Sequence, residues 1–95
     1  MEVRYRELVP IEKIGLACSS DYTYSLYSEK EKVNGNTKYY TLVRHNRQLG
    51  IIVKTTISIE MYNKLIQDTQ MAQEFRGMLL EQFAVMEARL INSKK

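Results

Sequence analysis

The sequence predicts an α+β fold, in which a three- to four-stranded antiparallel β-meander packs against a long C-terminal amphipathic helix. Three observations predict it: side chains alternate in character over residues 22–27, turn residues occur at Asn34-Gly35 and Asn46, and apolar residues are spaced three and four apart from Tyr62 onward. Period-two alternation is typical of a half-buried strand, whereas spacing by three and four is typical of one helix face.

A single domain in three consecutive parts is expected from the 95 residues. Residues 1–20 form an N-terminal strand or irregular segment, residues 21–57 form the meander, and residues 58–92 form the C-terminal helical region. The first part, EVRYRELV, has weak strand patterning that ends at Pro10. Its alternate residues would share one side of the sheet: Val3, Tyr5, Glu7 and Val9.

The meander is predicted from three strand-like runs joined by short turns. Asn34-Gly35 favours a two-residue type I′ turn, because both residues tolerate a positive φ. The returning strand KYYTLVRH ends at a turn around Asn46, and LGIIVKTTI is the third strand, rich in β-branched residues. The side chains expected to face the helix are Tyr22, Tyr24, Leu26, Tyr40, Leu42, Leu49, Ile51 and Val53.

Residues 58–92 are predicted to be helical, with Ser58 as the N-cap and Glu60 in the first turn, where the helix dipole favours a negative charge. Two arrangements stay open: one helix, continuous or kinked, or two helices divided near Gly77. A second helix beginning at Met78 would lack a capping Ser, Thr, Asp or Asn. A glycine inside a helix costs only about 1 kcal/mol relative to alanine.

A continuous helix would be too long for the sheet to cover. Residues 59–92 would span about 50 Å as one helix, whereas a seven-residue strand spans about 23 Å. The apolar second half would then need a second chain, so a homodimer is predicted. Its interface residues would be Leu79, Phe83, Met86 and Leu90. The alternative is that the N-terminal segment folds back over these residues within one chain.

The face of the sheet opposite the helix is predicted to be half apolar, which indicates that something covers it. An unidentified protein is the expected partner, since Tyr and Arg are frequent at binding hot spots. The alternative is that the N-terminal strand covers this face and its charges are simply solvated. The apolar side chains expected there are Tyr27, Tyr39, Val43 and Ile52.

The net charge of +3 is modest, but the bases are unevenly distributed, because residues 32–59 contain no Asp or Glu. A nucleic-acid surface in this region would use basic side chains for phosphates and tyrosines for stacking. The candidate basic residues are Lys38, Arg44, Arg47 and Lys54.

Catalytic and metal sites are not expected. Cys18 and His45 are the only cysteine and histidine, so neither a disulfide within the chain nor a zinc site rich in these ligands can form. Cys18 is expected to be a small buried hydrophobe, and His45 to be a polar residue in a turn. No apolar run approaches the roughly 20 residues of a bilayer span, and the N-terminus lacks an apolar signal-peptide core. A reducing, cytoplasmic location is expected.

The sequence therefore predicts a small, non-enzymatic regulatory or adaptor protein that acts through protein–protein contacts as a homodimer. No cofactor, membrane or small-molecule substrate is expected. The alternative is a nucleic-acid-binding protein that uses the basic region 32–59.

Overall fold

The computed structural model describes residues 4–93, which form a four-stranded antiparallel sheet with helices against one face. The sheet order is β1-β2-β3-β4, so β1 and β4 are its edges within the described residues. This confirms the predicted fold class. Val3, expected in the first strand, lies outside the described residues. The elements are β1 (Arg4–Val9), a 3-10 turn (Ile11–Ile14), β2 (Tyr22–Glu31), β3 (Thr37–Asn46), β4 (Ile51–Ile57), α1 (Ile59–Leu65) and α2 (Gln70–Ser93).

The face of the sheet toward the helices supplies half of the core. Side chains directly opposite each other on neighbouring strands share a face, and Leu26 opposite Leu42 marks the apolar one. The predicted assignment is confirmed for Tyr24, Leu26, Leu42, Ile51 and Val53, which are buried. Two further members of the set, Tyr22 and Tyr40, are half-buried.

The two hairpin turns differ from the expected ones. Only Gly35 has a positive φ in the first turn, so the loop 32–36 is not a type I′ turn, and the Gly35 amide donates to the Glu31 carbonyl instead. The second turn spans residues 47–50 and leaves Leu49 exposed outside β4, which corrects its placement on the core face. The Asn46 side chain holds this turn by accepting a hydrogen bond from the Leu49 amide.

The helical region divides at residues 66–69, not near Gly77. Ser58 caps α1 as predicted, because its hydroxyl accepts from the Met61 amide at 3.1 Å. Thr69 caps α2 in the same way, accepting from the Ala72 amide at 3.1 Å. Gly77 lies inside α2, and the helix continues through it. A Cβ built at Gly77 would meet no atom of another element within 4 Å.

This division removes the expected excess of helix over sheet. α2 has 24 residues and spans about 36 Å, while β2 and β3 have ten residues each and span about 33 Å. Leu79 and Phe83 are therefore buried in the chain's own core, Phe83 completely and Leu79 with 7% of its surface exposed. Of the other two residues expected at a dimer interface, Met86 is half-buried and Leu90 is exposed.

An aromatic stack and an arginine fix α1 and the 3-10 turn against the rest. The Tyr62 ring of α1 stacks on Tyr40 of β3 with 4.0 Å between centroids, and burial, with a smaller effect of Tyr40, raises the pKa of Tyr62. The Arg76 guanidinium of α2 donates to the carbonyls of Ile14 and Leu65. The Arg76 side chain thus connects α2 to the 3-10 turn and to α1.

A buried ion pair joins α2 to the centre of the sheet. Arg44 and Glu87 are only 4% and 5% exposed, and two guanidinium nitrogens donate to the two Glu87 oxygens at 3.0 and 2.6 Å. Arg44 also donates to the Tyr24 hydroxyl, and Asn46 donates to Glu87. Burial lowers the pKa of Arg44, but the hydrogen bonds to Glu87 and Tyr24 outweigh burial and raise it. The Tyr22 ring lies 4.2 Å from the guanidinium carbon.

Replacing Arg44 by methionine is expected to lower the free energy of unfolding by about 3–5 kcal/mol, because Glu87 would remain buried without its counter-charge. The double variant Arg44→Met/Glu87→Leu should recover most of this loss. Lys38→Met serves as a control, since Lys38 also pairs with a carboxylate, that of Glu31, but the two side chains are 52% and 31% exposed, and the loss should stay near 0–1 kcal/mol. Urea unfolding measures all three variants; equal losses for Arg44→Met and Lys38→Met would contradict the prediction.

Gly15→Ala is expected to destabilise the protein more than Gly50→Ala. Both glycines have positive φ values, 76° and 65°, so each substitution carries a similar backbone cost of about 1–2 kcal/mol. A Cβ at Gly15 would also lie 2.7 Å from the Arg76 guanidinium, whereas one at Gly50 meets nothing within 4 Å. Displacing Arg76 weakens two hydrogen bonds, at about 0.5–1.5 kcal/mol each. Thermal unfolding that ranks the two variants equally would show that Arg76 moves without cost.

Candidate interaction surfaces

An exposed apolar row runs along one side of α2, away from the core. Met71, Met78 and Val85 are seven residues apart and are 51%, 60% and 45% exposed. Between and beyond them lie Phe75, which is half-buried and also packs against the core, and the polar residues Gln82 and Arg89. The steps along the row alternate between four and three. This is the spacing of a coiled-coil seam. We call these six residues the α2 seam: Met71, Phe75, Met78, Gln82, Val85 and Arg89.

The α2 seam is not among the residues predicted from the sequence, which place the interface on the side of α2 that carries Leu79 and Phe83. One residue along a helix corresponds to a rotation of about 100°, so Met78 and Leu79 point to different sides. The signal that could have identified the seam is the seven-residue spacing of Met71, Met78 and Val85.

A groove beside the α2 seam extends it toward the sheet. The groove has a volume of about 540 Å³ and lies where β4, the start of α1 and the middle of α2 meet. Gln82 belongs to both the groove and the seam. The apolar lining residues are Ile57, Ile59, Met61 and Leu79. Methionine adapts to irregular partners, so a surface with Met61, Met71 and Met78 suits protein contacts.

The opposite face of the sheet carries the predicted contact residues together. Tyr27, Tyr39 and Val43 are half-buried and Ile52 is exposed on this face. Among residues 4–93 the helices contact the other face, and β1 pairs with β2 at the sheet edge instead of lying across these side chains. We call this the outer face: Arg4, Arg6, Leu8, Thr23, Ser25, Tyr27, Glu29, Tyr39, Thr41, Val43, His45, Ile52, Lys54 and Thr56.

Two arginines of β1 reach over the tyrosines of the outer face. The Arg6 guanidinium lies 4.8 Å from the Tyr27 ring centroid. The Arg4 guanidinium lies 5.5 Å from the Tyr39 centroid and also donates to its hydroxyl at 2.6 Å. Neither arginine was among the predicted site residues, because both precede the acid-free region. Only the pairing of β1 with β2 places them there.

One carboxylate of the outer face is already neutralised. Glu29 is buried, and its side chain accepts a hydrogen bond from the Thr41 hydroxyl at 2.7 Å and forms an ion pair with Arg6 at 2.9 Å. A cleft of about 280 Å³ opens beside it and is lined by Arg6, Tyr39, Thr41, Lys54, Thr55 and Thr56. Cationic, aromatic and hydroxyl groups therefore meet in one concave site.

The structure separates the four basic residues expected to contact nucleic acid. Arg44 is buried with Glu87, so its assignment as a phosphate contact is wrong, and β3 alternation places it on the core face. Lys38 forms an ion pair with Glu31 at 3.1 Å. Arg47 is exposed in the second turn and donates to the Thr23 hydroxyl, and Lys54 is exposed on the outer face.

Cys18 and His45 lie in different surroundings from those expected. Cys18 is exposed instead of buried; its Sγ accepts from the Tyr24 amide at 3.3 Å and lies 3.6 Å from the Tyr24 carbonyl. His45 lies within β3, opposite Thr23 and Ile52, and not in a turn. In the part of the chain that the structure describes, no group of three or more His, Cys, Asp or Glu side chains could hold a metal ion.

Neither helix within residues 4–93 combines the length and the hydrophobicity that crossing a bilayer requires. Comparisons of the chain with protein-family models, with curated proteins and with solved structures give no match.

Proposed function

We propose that this protein is a non-enzymatic contact module that pairs with a second copy of itself through the α2 seam and acts in regulation as a homodimer. The observation that carries the proposal is the seven-residue spacing of Met71, Met78 and Val85 on an exposed helix face. These three side chains do not belong to the core of the single chain, which contains Leu79 and Phe83 instead.

The size of the α2 seam supports a weak, concentration-dependent dimer. A helix face about 36 Å long and about 10 Å wide offers roughly 360 Å² per subunit, below the roughly 800 Å² of a standard interface. The neighbouring groove with Ile59 and Met61 adds apolar area to this face. Because this area is below that of a standard interface, we expect a Kd of about 1 μM or weaker.

The charges along α2 favour an antiparallel pair of helices. Glu74 lies beside the first part of the seam, and Arg89 lies at its far end. Antiparallel pairing brings Glu74 of one subunit toward Arg89 of the other, whereas parallel pairing places like charges together. A two-fold pair of this kind also closes, so association stops at two subunits.

Val85→Glu and Met78→Glu are each expected to raise the Kd of the dimer by about 100-fold or more. Each dimer would carry two buried, unpaired carboxylates, and every 1.4 kcal/mol changes Kd tenfold. Sedimentation equilibrium measures the effect as a shift from twice the chain mass to the 11.2 kDa of one chain. Because both residues are exposed in the single chain, the unfolding temperature of the dilute protein should change little.

Ala84→Glu is the matched control for Val85→Glu, since Ala84 is the adjacent exposed residue of α2 but points away from the seam. It should leave Kd within about twofold. A second test exchanges charges: Glu74→Arg should weaken the dimer, and adding Arg89→Glu should restore it. An 11.2 kDa species at every concentration, or equal loss in Ala84→Glu and Val85→Glu, would overturn the proposal.

A further inference from the structure

We propose that the outer face of the sheet binds single-stranded nucleic acid, with the arginine–tyrosine pairs as stacking platforms and Lys54 beside them as a phosphate contact. This inference does not depend on the α2 seam, which lies on the helical side of the sheet. It rests on the position of charged and aromatic side chains that the sheet register brings together.

The charge of this side of the protein is positive and accessible. Five cations of the described residues belong to this side, reach it or lie at its end: Arg4, Arg6, Arg47, Lys54 and Lys38. The acids on this side within residues 4–93 are Glu29 and Glu31, so the described cations outnumber them. Glu29 is buried and held by Arg6 and Thr41, which limits its repulsion of a phosphate.

The aromatic groups of this face provide stacking surfaces for bases, which charged groups alone do not provide. A guanidinium lies over the ring of Tyr27 and another over the ring of Tyr39, at 4.8 and 5.5 Å from the centroids. The guanidinium plane of arginine and the ring of tyrosine are both groups on which a base can stack. An acidic protein segment would use the charges but not these planar groups, so the surface fits nucleic acid better.

The cleft beside Tyr39 is suited to the backbone of a strand. Arg6, Lys54, Thr41 and Thr56 all line it, and the Thr41 hydroxyl donates to Glu29. From Thr23 to Glu31 the face extends over about 27 Å of β2. Unpaired bases can lie flat on such a sheet, whereas the bases of a duplex are stacked inside and cannot reach the tyrosines.

The test is fluorescence anisotropy with labelled oligothymidylate and oligouridylate of about twelve nucleotides, and with a duplex of the same length. The wild-type protein should bind the single strands and bind the duplex more weakly. The slope of log K against log salt should be about −2, as expected for roughly three phosphate contacts. Met78→Glu, which alters only the α2 seam, should retain this binding.

Lys54→Glu should weaken binding by about tenfold or more, and Lys54→Arg should stay within about threefold of the wild type. Lys13→Glu is the matched control, because Lys13 is equally exposed but belongs to the 3-10 turn, which contacts α1 on the helical side. It should change binding by less than about twofold. Tyr39→Ala should also cost about tenfold, since stacking contributes strongly for each base.

Several outcomes would overturn the proposal. They are undetectable binding at low salt, equal losses in Lys13→Glu and Lys54→Glu, or tighter binding of the duplex than of the single strands. Polyglutamate that competes as well as an oligonucleotide of equal charge would assign the face to acidic proteins instead. Circular dichroism of each variant establishes that a loss of binding is not a loss of fold.

Discussion

The arrangement of this protein depends on one buried ion pair. Arg44 points into the core from near the C-terminal end of β3, and Glu87 reaches it from the second half of α2, with both oxygens engaged. Neither charge could stay buried alone, so this half of α2 must lie over the sheet with its helical phase fixed. That phase places Leu79 and Phe83 inside and leaves Met71, Met78 and Val85 outside. The surface proposed for self-association is therefore determined by a contact in the core.

The two proposed surfaces lie on opposite sides of the sheet and use different chemistry. The helical side offers methionine and aliphatic groups, which favour shape-adaptable apolar contact. The outer face offers arginine, lysine, tyrosine and threonine, which favour a charged, planar ligand. The groove beside the α2 seam shares Tyr39 and Thr56 with the outer face. A two-fold pairing through the seam residues themselves leaves both outer faces free, so the dimer would present two strand-binding faces on one particle. Linked faces of this kind increase the apparent affinity for a long chain without any new contact.

Much of the fold could be predicted from local patterns. The alternation in β2, the Ser58 cap and the β-branched run of β4 each depend on near neighbours, and each is confirmed. The failures involve residues that are distant in the sequence. Thr69 is a capping residue of the same kind as Ser58, but residues 66–69 contain no glycine or proline, so the sequence does not mark the break there. Alternation with Leu42 predicts that Arg44 points inward, yet a charge there is acceptable only because Glu87 lies 43 residues away. Arg4 and Arg6 join the outer face only through the register of β1.

The free edge of β4 has a further consequence for how copies of the chain can meet. Strand edges expose unpaired amides and carbonyls, so an edge strand such as IIVKTTI can pair with the same strand of another copy. Lys54 is the central residue of this seven-residue strand, so an antiparallel, two-fold pairing of two such edges in this register would bring two ammonium groups face to face. That repulsion opposes edge-to-edge pairing of two sheets through β4.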